Sequence, residues 1–292
     1  MLVDLDKEVV FSRYNEMYGH GALLRKYCGV DDKRVRICGQ VQHGWSLSIG
    51  VENQNLTPIY VWNDRSHEVA VRNGIKEDEI TRIGAPYLYL PPIEPPMRIP
   101  RSLLAFPSHT TPGHPIADSY QFWEEYAEWI ANVGVAYDFE QVTVSLHVNE
   151  YDDSSIVHQL NRRGLKVFCA GQVWSPWVTT IDYLSRVRML ILQHNVITAN
   201  SVHSGIMYAA YEGKPIFIGG PTGKRIPKEN TNEVYCHHTS DLEWIDRHFP
   251  QFVQTADYAK PHVEVGKREL GLNYKLSPAD LWLTLNMGID IS

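Results

Sequence analysis

Short apolar runs recur along the chain, separated by amphipathic stretches and by turns rich in glycine, proline and small polar residues. Runs at residues 35–41, 59–62 and 80–83 read as strands, and the last two enclose a helical piece over 66–73 that Gly74 closes. Residues 8–27 also carry a helical period. Farther on the alternation becomes regular. Strands are predicted over 103–106, 142–147 and 166–170, with an aromatic amphipathic helix over 119–133 and a second helix over 154–163. A helix over 177–193 leads to an apolar run over 195–198, then to a helix opening near Asn200 and a strand from Ile216. A last helix over 277–287 is capped at Ser277. Strands and helices alternating at this spacing predict an α/β fold with parallel sheets covered on both faces.

The strongest punctuation lies at residues 91–100, where five of ten residues are proline. Such a segment forms neither a helix nor a central strand and reads as a stiff extended connector. It divides the chain into a small N-terminal α/β domain, residues 1–97, and a C-terminal α/β domain, residues 98–292.

Composition narrows the partners. The net charge of -7, without a Lys/Arg stripe, argues against a nucleic-acid backbone. No apolar run approaches the roughly 20 residues of a membrane span, and the acidic start lacks the layout of a signal peptide. The four cysteines are far apart and read as reduced thiols, so neither zinc nor disulfides are expected. A cytoplasmic protein is expected, with contact at the inner membrane face or in a multi-enzyme assembly left open.

The stretch from Asn200 to Gly220 concentrates the candidate chemistry. A buried strand delivers the chain to a helix capped by Asn200 or Ser201, with Gly213 as its stop and Pro215 preventing continuation. Backbone N–H groups, the positive dipole end and the Ser201 and Ser204 hydroxyls then meet at the carboxyl edge of a sheet, where open α/β sheets bind phosphates. An ordinary βαβ unit with a good cap has the same pattern.

Four more loops follow predicted strands. His43-Gly44 places an imidazole suited to general-base work, or to a loop hydrogen bond, at a strand end. Residues 107–115 hold Ser108, His109, Thr110, Thr111 and His114, able to bind phosphate or sugar hydroxyls or simply to form turns. His147 and Glu150 remain candidate ligand contacts beside Asp152 and Asp153, which read as helix caps. Gly171 and Trp174 suit stacking on a base or sugar, or a plug of the domain contact. There is no glycine-rich dinucleotide fingerprint, Walker-type loop or nucleophile elbow. His237-His238 has no companion cluster, so metal binding is not expected.

Two α/β units, a proline-rich crossover and loops facing one cleft resemble the two-domain glycosyltransferase fold called GT-B, two Rossmann-like lobes of which the N-terminal one is small here. Gln42-His43-Gly44 resembles the strand-end histidine-glycine of CDP-glycerol glycerophosphotransferases. The stretches at 61–62, 74–75 and 83–86 resemble the place where such chains leave the first domain. Residues 104–111, 169–171, 200–215 and 269–281 are similar to bacterial capsular or surface polysaccharide biosynthesis proteins. The resemblance implies a glycosyltransferase that moves a sugar, or a polyol phosphate, from a nucleotide-activated donor to a glycan or lipid-linked acceptor. His43 would be the base. Ser108, His109, Thr110, His147, Gly171, Asn200, Ser201, His203, Ser204 and Tyr208 would lie on the donor side. No cofactor or metal is implied, because helix dipole and hydroxyls stabilise the leaving phosphate. Tyr208 stands near the position where sugar-nucleotide transferases of this fold often place a ribose-gripping carboxylate. Glu212 lies eleven residues after Ser201, about 16 Å along a helix, and reads as structural. A nucleotide-sugar epimerase of the same architecture and a non-catalytic glycan or nucleotide binder are the competing readings.

Overall fold

The computed structural model describes residues 11–47, 51, 56–110, 116, 118–172, 180–223, 242–252 and 255–289. Its strands are β1 (Val35–Arg36), β2 (Gln40–Val41), β3 (Ile59–Val61), β4 (Ile80–Arg82), β5 (Ser102–Phe106), β6 (Gln141–Leu146), β7 (Lys166–Cys169), β8 (Val196–Ala199), β9 (Pro215–Ile218), β10 (Lys260–Pro261) and β11 (Gly288–Ile289). Its helices are α1 (His20–Tyr27), α2 (Asp64–Arg72), α3 (Ser119–Ala136), α4 (Val148–Tyr151), α5 (Ser154–Asn161), α6 (Tyr183–Gln193), α7 (Ser204–Tyr211), α8 (Leu242–His248), α9 (Val263–Glu269) and α10 (Pro278–Thr284). The α/β class expected from the alternation is the class observed. No helix among the described residues is long and apolar enough to cross a membrane.

The chain divides into two units. One comprises residues 1–92, 172–184 and 267–292, and the other comprises residues 93–171 and 185–266. The first boundary falls within residues 91–100, and residues 172–184 and 267–292 are grouped with residues 1–92.

The unit holding residues 93–171 and 185–266 is built on a six-stranded sheet ordered β10-β9-β8-β5-β6-β7, with only β10 antiparallel to its neighbour. Every residue of β5 is buried, as a central parallel strand covered on both faces requires. Helix α3 packs Phe122, Trp123, Tyr126 and Ile130 onto Leu103, Val144 and Leu146, while Ile156 and Leu160 of α5 close the same core. The chain runs outward from β5 through β6 to β7, then returns to the other flank of β5 for β8 and β9. Strand order therefore reverses between β5 and β8. Phe106 and Ala199 lie opposite one another at the carboxyl ends of these two strands.

The other unit contains the parallel sheet β2-β3-β4, with α2 joining β3 to β4 over a small core of Ile59, Val61, Ala70, Ile75 and Ile80. Asn63 caps α2 by accepting from the Ser66 N–H at 2.9 Å, as a residue of this type does at a helix start. The C-terminal segment is pinned here by specific bonds. The Ala85 N–H donates to the Leu270 carbonyl at 2.8 Å. The Tyr60 hydroxyl donates to the Thr284 carbonyl at 3.0 Å, and β11 pairs antiparallel with β1. Glu269 is the hub: its carboxylate accepts from Trp45 Nε1 at 2.8 Å and from Arg65 Nε at 3.3 Å.

Three expectations are corrected. The helix expected over residues 8–27 is broken in its described part: a 3₁₀ turn at Arg13–Gly19 precedes α1, and Met17 (ψ 142°) and Tyr18 (φ 57°) leave helical geometry. A left-handed tyrosine costs about 1–2 kcal/mol, so packing imposes this break against local preference. The strand expected over 35–41 is two separate strands, β1 and β2, in different sheets. The helix expected from 177 begins at Tyr183, with residues 180–182 in a turn and 177–179 outside the described residues.

Gly271 offers a test of how tightly the C-terminal return is held. It sits at φ +69°, and a Cβ there would meet the Trp62 carbonyl. Both obstacles are backbone, so Gly271→Ala is expected to destabilise by about 2–4 kcal/mol. Urea unfolding measures this, and a loss within experimental error would show that the segment is free to shift.

Candidate functional site

The strand order reverses between β5 and β8, and the carboxyl edge at such a reversal is where open α/β sheets present ligand sites. The loops after both strands are polar and are tied together by Asn200, which is 1% exposed. Its Oδ1 accepts from the Ser108 N–H at 2.7 Å and from the Ser108 hydroxyl at 2.9 Å. Its Nδ2 donates to the Pro221 carbonyl at 2.6 Å, drawing in the loop after β9. Ser108 also reaches Ser201 Oγ at 3.3 Å. Three loops from three adjacent strands thus share one amide side chain.

Helix α7 begins at Ser204, and its cap is His203, not Asn200 or Ser201. His203 Nδ1 accepts from the Gly205 N–H at 3.1 Å, and Nε2 lies 3.4 Å from the Phe106 carbonyl. Because Nδ1 accepts, Nε2 carries the proton in the neutral ring. The helix starts late because Val202 turns inward and is 1% exposed, so the chain uses two further residues before it can coil. Gly213 at φ +69° ends α7 as expected.

On the other flank of β5, His147 follows β6 and caps α4 in the same manner, with Nδ1 accepting from the Asn149 N–H at 3.4 Å. Glu150 is buried, and its Oε1 accepts from the Thr110 N–H at 2.6 Å and the Thr110 hydroxyl at 2.7 Å. The His109 and His147 rings lie 4.5 Å apart and within 13° of parallel. His109 Nδ1 faces the Thr110 carbonyl at 2.7 Å and so carries the proton, leaving the Nε2 lone pair outward in the neutral ring. Burial, reinforced by His109, pushes the His147 pKa down to about 2, so His147 is neutral at physiological pH.

Among the described residues, His109, His147 and Glu150 have donor atoms within 4.8 Å of one another, close enough to be tested as a metal set. Stacked rings send their in-plane lone pairs side by side rather than to one point, and Thr110 already occupies Glu150 Oε1. The arrangement fits a rigid polar floor under residues 108–110 better than a coordination sphere.

Thus Ser108, His109, Thr110, His147, Asn200, Ser201, His203 and Ser204 lie along the carboxyl edge of one sheet. Gly171 follows β7 at the same edge, at φ +123°. Tyr208 lies inside α7 at 4% exposure. Glu212 pairs with Arg188 at 2.8 Å, the structural role expected for it. Asp153, not Asp152, caps α5 through Ser155. Thr111, His114, Trp174 and His237-His238 fall outside the described residues. Sequence reasoning missed the two imidazole caps; His147, directly after an apolar run and before a helix, carried a signal, whereas His203, after Asn200-Ser201-Val202, carried none.

His43 belongs to the other unit, two residues beyond β2. Gln42, fully buried, holds that loop: its Oε1 accepts from the Trp62 N–H at 2.9 Å, Nε2 donates to the Gly44 carbonyl at 2.8 Å, and its own carbonyl accepts from Trp62 Nε1 at 2.9 Å. The half-buried His43 ring lies parallel to Tyr18, with centroids 6.4 Å apart. His20 is buried nearby, and burial followed by the His43 charge lowers its pKa to about 3.

No protein-family model matches the chain, and no curated protein matches it. Among solved structures, it is similar to the UDP-GlcNAc 2-epimerase of Neisseria meningitidis bound to UDP-GlcNAc, at 13% identity and a TM-score of 0.38, over 73% of this chain and 60% of that one. It is also similar to S. aureus MnaA with UDP, at 9% identity and TM-score 0.40, over 77% and 63% of the two chains. Anabaena HepE in complex with UDP gives 13% identity and TM-score 0.36, over 91% and 76%. This chain therefore spans less than two thirds of the length of either of the first two proteins. At these scores no activity passes from them to this chain.

Two outcomes are expected. Asn200→Ala leaves the Pro221 carbonyl and the Ser108 N–H without their partner and should cost about 2–4 kcal/mol in urea unfolding. Wild-type stability at that substitution would mean that the three loops are held by other contacts. His20 and His147 are buried neutral with folded pKa values below the unfolded value of about 6.5. Between those values the unfolded chain binds more protons, so the stability held above the unfolded pKa drains away as pH falls. Each histidine should contribute a slope of about 1.4 kcal/mol per pH unit. Urea titrations at pH 7.5 and 5.5 should show His20→Gln losing one histidine's share; an unaltered slope would contradict the buried neutral ring.

Proposed function

We propose that this protein is a transferase acting on a nucleotide-activated donor, with the donor phosphates seated at the carboxyl edge of β5 and β8. The observation that carries the reading is the switch point itself. The strand order reverses there, and Asn200, by accepting from the Ser108 N–H and hydroxyl, fixes the loop that lies against the Ser201 hydroxyl. Ser201 Oγ accepts from Ser108 and keeps its own proton to donate, and a hydroxyl held in advance at such an edge stabilises negative charge as it develops on a departing phosphate. The group transferred is a sugar or a polyol phosphate, and the acceptor is a hydroxyl of a surface glycan or of its lipid-linked precursor. Support for that acceptor class, and for work at the inner face of the membrane, comes from the sequence resemblance to surface-polymer transferases.

In the proposed reaction His43 takes the proton of the acceptor hydroxyl, the oxygen attacks the activated centre, and the bond to the nucleotide phosphate breaks. The Gln42 clamp keeps the imidazole loop in one conformation, which suits a base that must be aimed. Donor affinity and proton removal therefore depend on different residues. The resemblance implies that no metal is needed for this chemistry.

Thermal-shift measurements over UDP-, GDP-, CDP- and CMP-sugars test the donor site. One nucleotide class at about 100-fold above its Kd should stabilise the folded chain by about 2.7 kcal/mol and raise the melting temperature by several degrees. His43→Ala should abolish transfer while leaving that shift intact. No shift with any nucleotide sugar would remove the donor site, and full turnover in the His43 variant would remove the base. Conversion of the free nucleotide sugar without an acceptor would favour an epimerase instead.

A further inference from the structure

Tyr18 is held in a conformation that its own chemistry disfavours. It sits at φ 57°, ψ 14°, between the 3₁₀ turn and α1, and the next residue, Gly19, is also left-handed at φ +74°. Gly19 has a local reason for its identity, since a Cβ there would meet the Ile181 carbonyl. Tyr18 has none of that kind, because a glycine would adopt the same backbone without strain. Its position is explained by where the ring goes. Centroids of Tyr18 and His43 are 6.4 Å apart, with planes 9° from parallel. Tyr183 meets the Tyr18 ring edge-on at 5.2 Å and 66°, and His20 lies 5.7 Å away at 33°. The ring is thus braced on two further sides, and its remaining aspect is turned to the one imidazole assigned as a base.

We infer that Tyr18 is a positioning residue for His43, a ring placed by a strained backbone to set the plane of the imidazole. The inference rests on the transferase reading for the role of His43 as a base, though not for the geometry. A parallel aromatic ring at this separation lies within the range of favourable ring pairs. His20, whose ring also meets Tyr18, is buried and neutral. Glu16, two residues before Tyr18, pairs with Arg25. Strain at a functional position that surrounding structure over-determines is the pattern expected where geometry serves chemistry.

Tyr18→Gly separates this role from packing. It deletes the ring contacts while relieving the left-handed backbone, so the melting temperature should fall by no more than a few degrees. Transfer should fall about tenfold in kcat with donor KM unchanged, and the His43 ring protons should lose their ring-current shift by NMR. Tyr18→Phe keeps the ring face and should retain both turnover and the His43 ring-proton shifts. A Tyr18→Gly protein with parental turnover and an unmoved His43 resonance would overturn the inference. So would a large fall in melting temperature with the His43 resonances unmoved, which would place the ring in packing alone. A Phe variant as impaired as the Gly variant would assign the effect to the hydroxyl and also overturn it. If the parent shows no transfer with any donor, the transferase reading fails, while the NMR shifts still decide the positioning claim.

Discussion

The carboxyl edge of the six-stranded sheet depends on a single side-chain amide. Asn200 receives both polar groups of Ser108 on its oxygen and gives its nitrogen to the Pro221 carbonyl. Parallel strands bring three loops to one edge, but parallel pairing alone does not set their heights or directions. A buried amide with both ends engaged does so, because leaving either end unpaired away from water is costly. The Ser108–Ser201 contact at this edge follows from loops joined in this way.

Histidines serve this fold in an unusual way. His147 and His203 each use Nδ1 to satisfy the second N–H of a helix that begins just beyond a strand, the task more often given to an Asn, Asp, Ser or Thr oxygen. The choice fixes the tautomer and leaves a ring, not a short side chain, standing at the sheet edge. Capping and site-building are therefore the same act at these two positions. In the other unit Gln42 does comparable work through three hydrogen bonds around the His43 loop, and Glu269 joins that loop region to the C-terminal segment through Trp45.

Much of this was legible in the sequence. The apolar runs that became β3, β5, β6, β8 and β9 are mostly buried strands, where composition alone is a strong signal, and β4 and β7 were readable although they lie partly exposed at sheet edges. The aromatic period of α3, the Gly213 stop and the Ser277 cap were equally plain. Elements dictated by distant contacts were not. Strands β1, β10 and β11 have two residues each, too few for any period, and exist because their partners are present. The break at Tyr18 lies in a helix-compatible stretch and is imposed by packing that no local pattern records. The reading of Asn200 as a helix cap overlooked Val202, which must be buried before the helix can start. The convergence of Ser108 with Ser201 needed the strand order, which sequence spacing does not reveal.

The central claim is that the β5–β8 edge holds the phosphates of an activated donor. Amide hydrogen exchange, followed by mass spectrometry with and without a stabilising nucleotide sugar, reads that edge directly. The account predicts slower exchange confined chiefly to residues 107–110 and 200–205, the two loops gathered by Asn200. Protection that leaves both loops unchanged while slowing exchange elsewhere in the chain would contradict it.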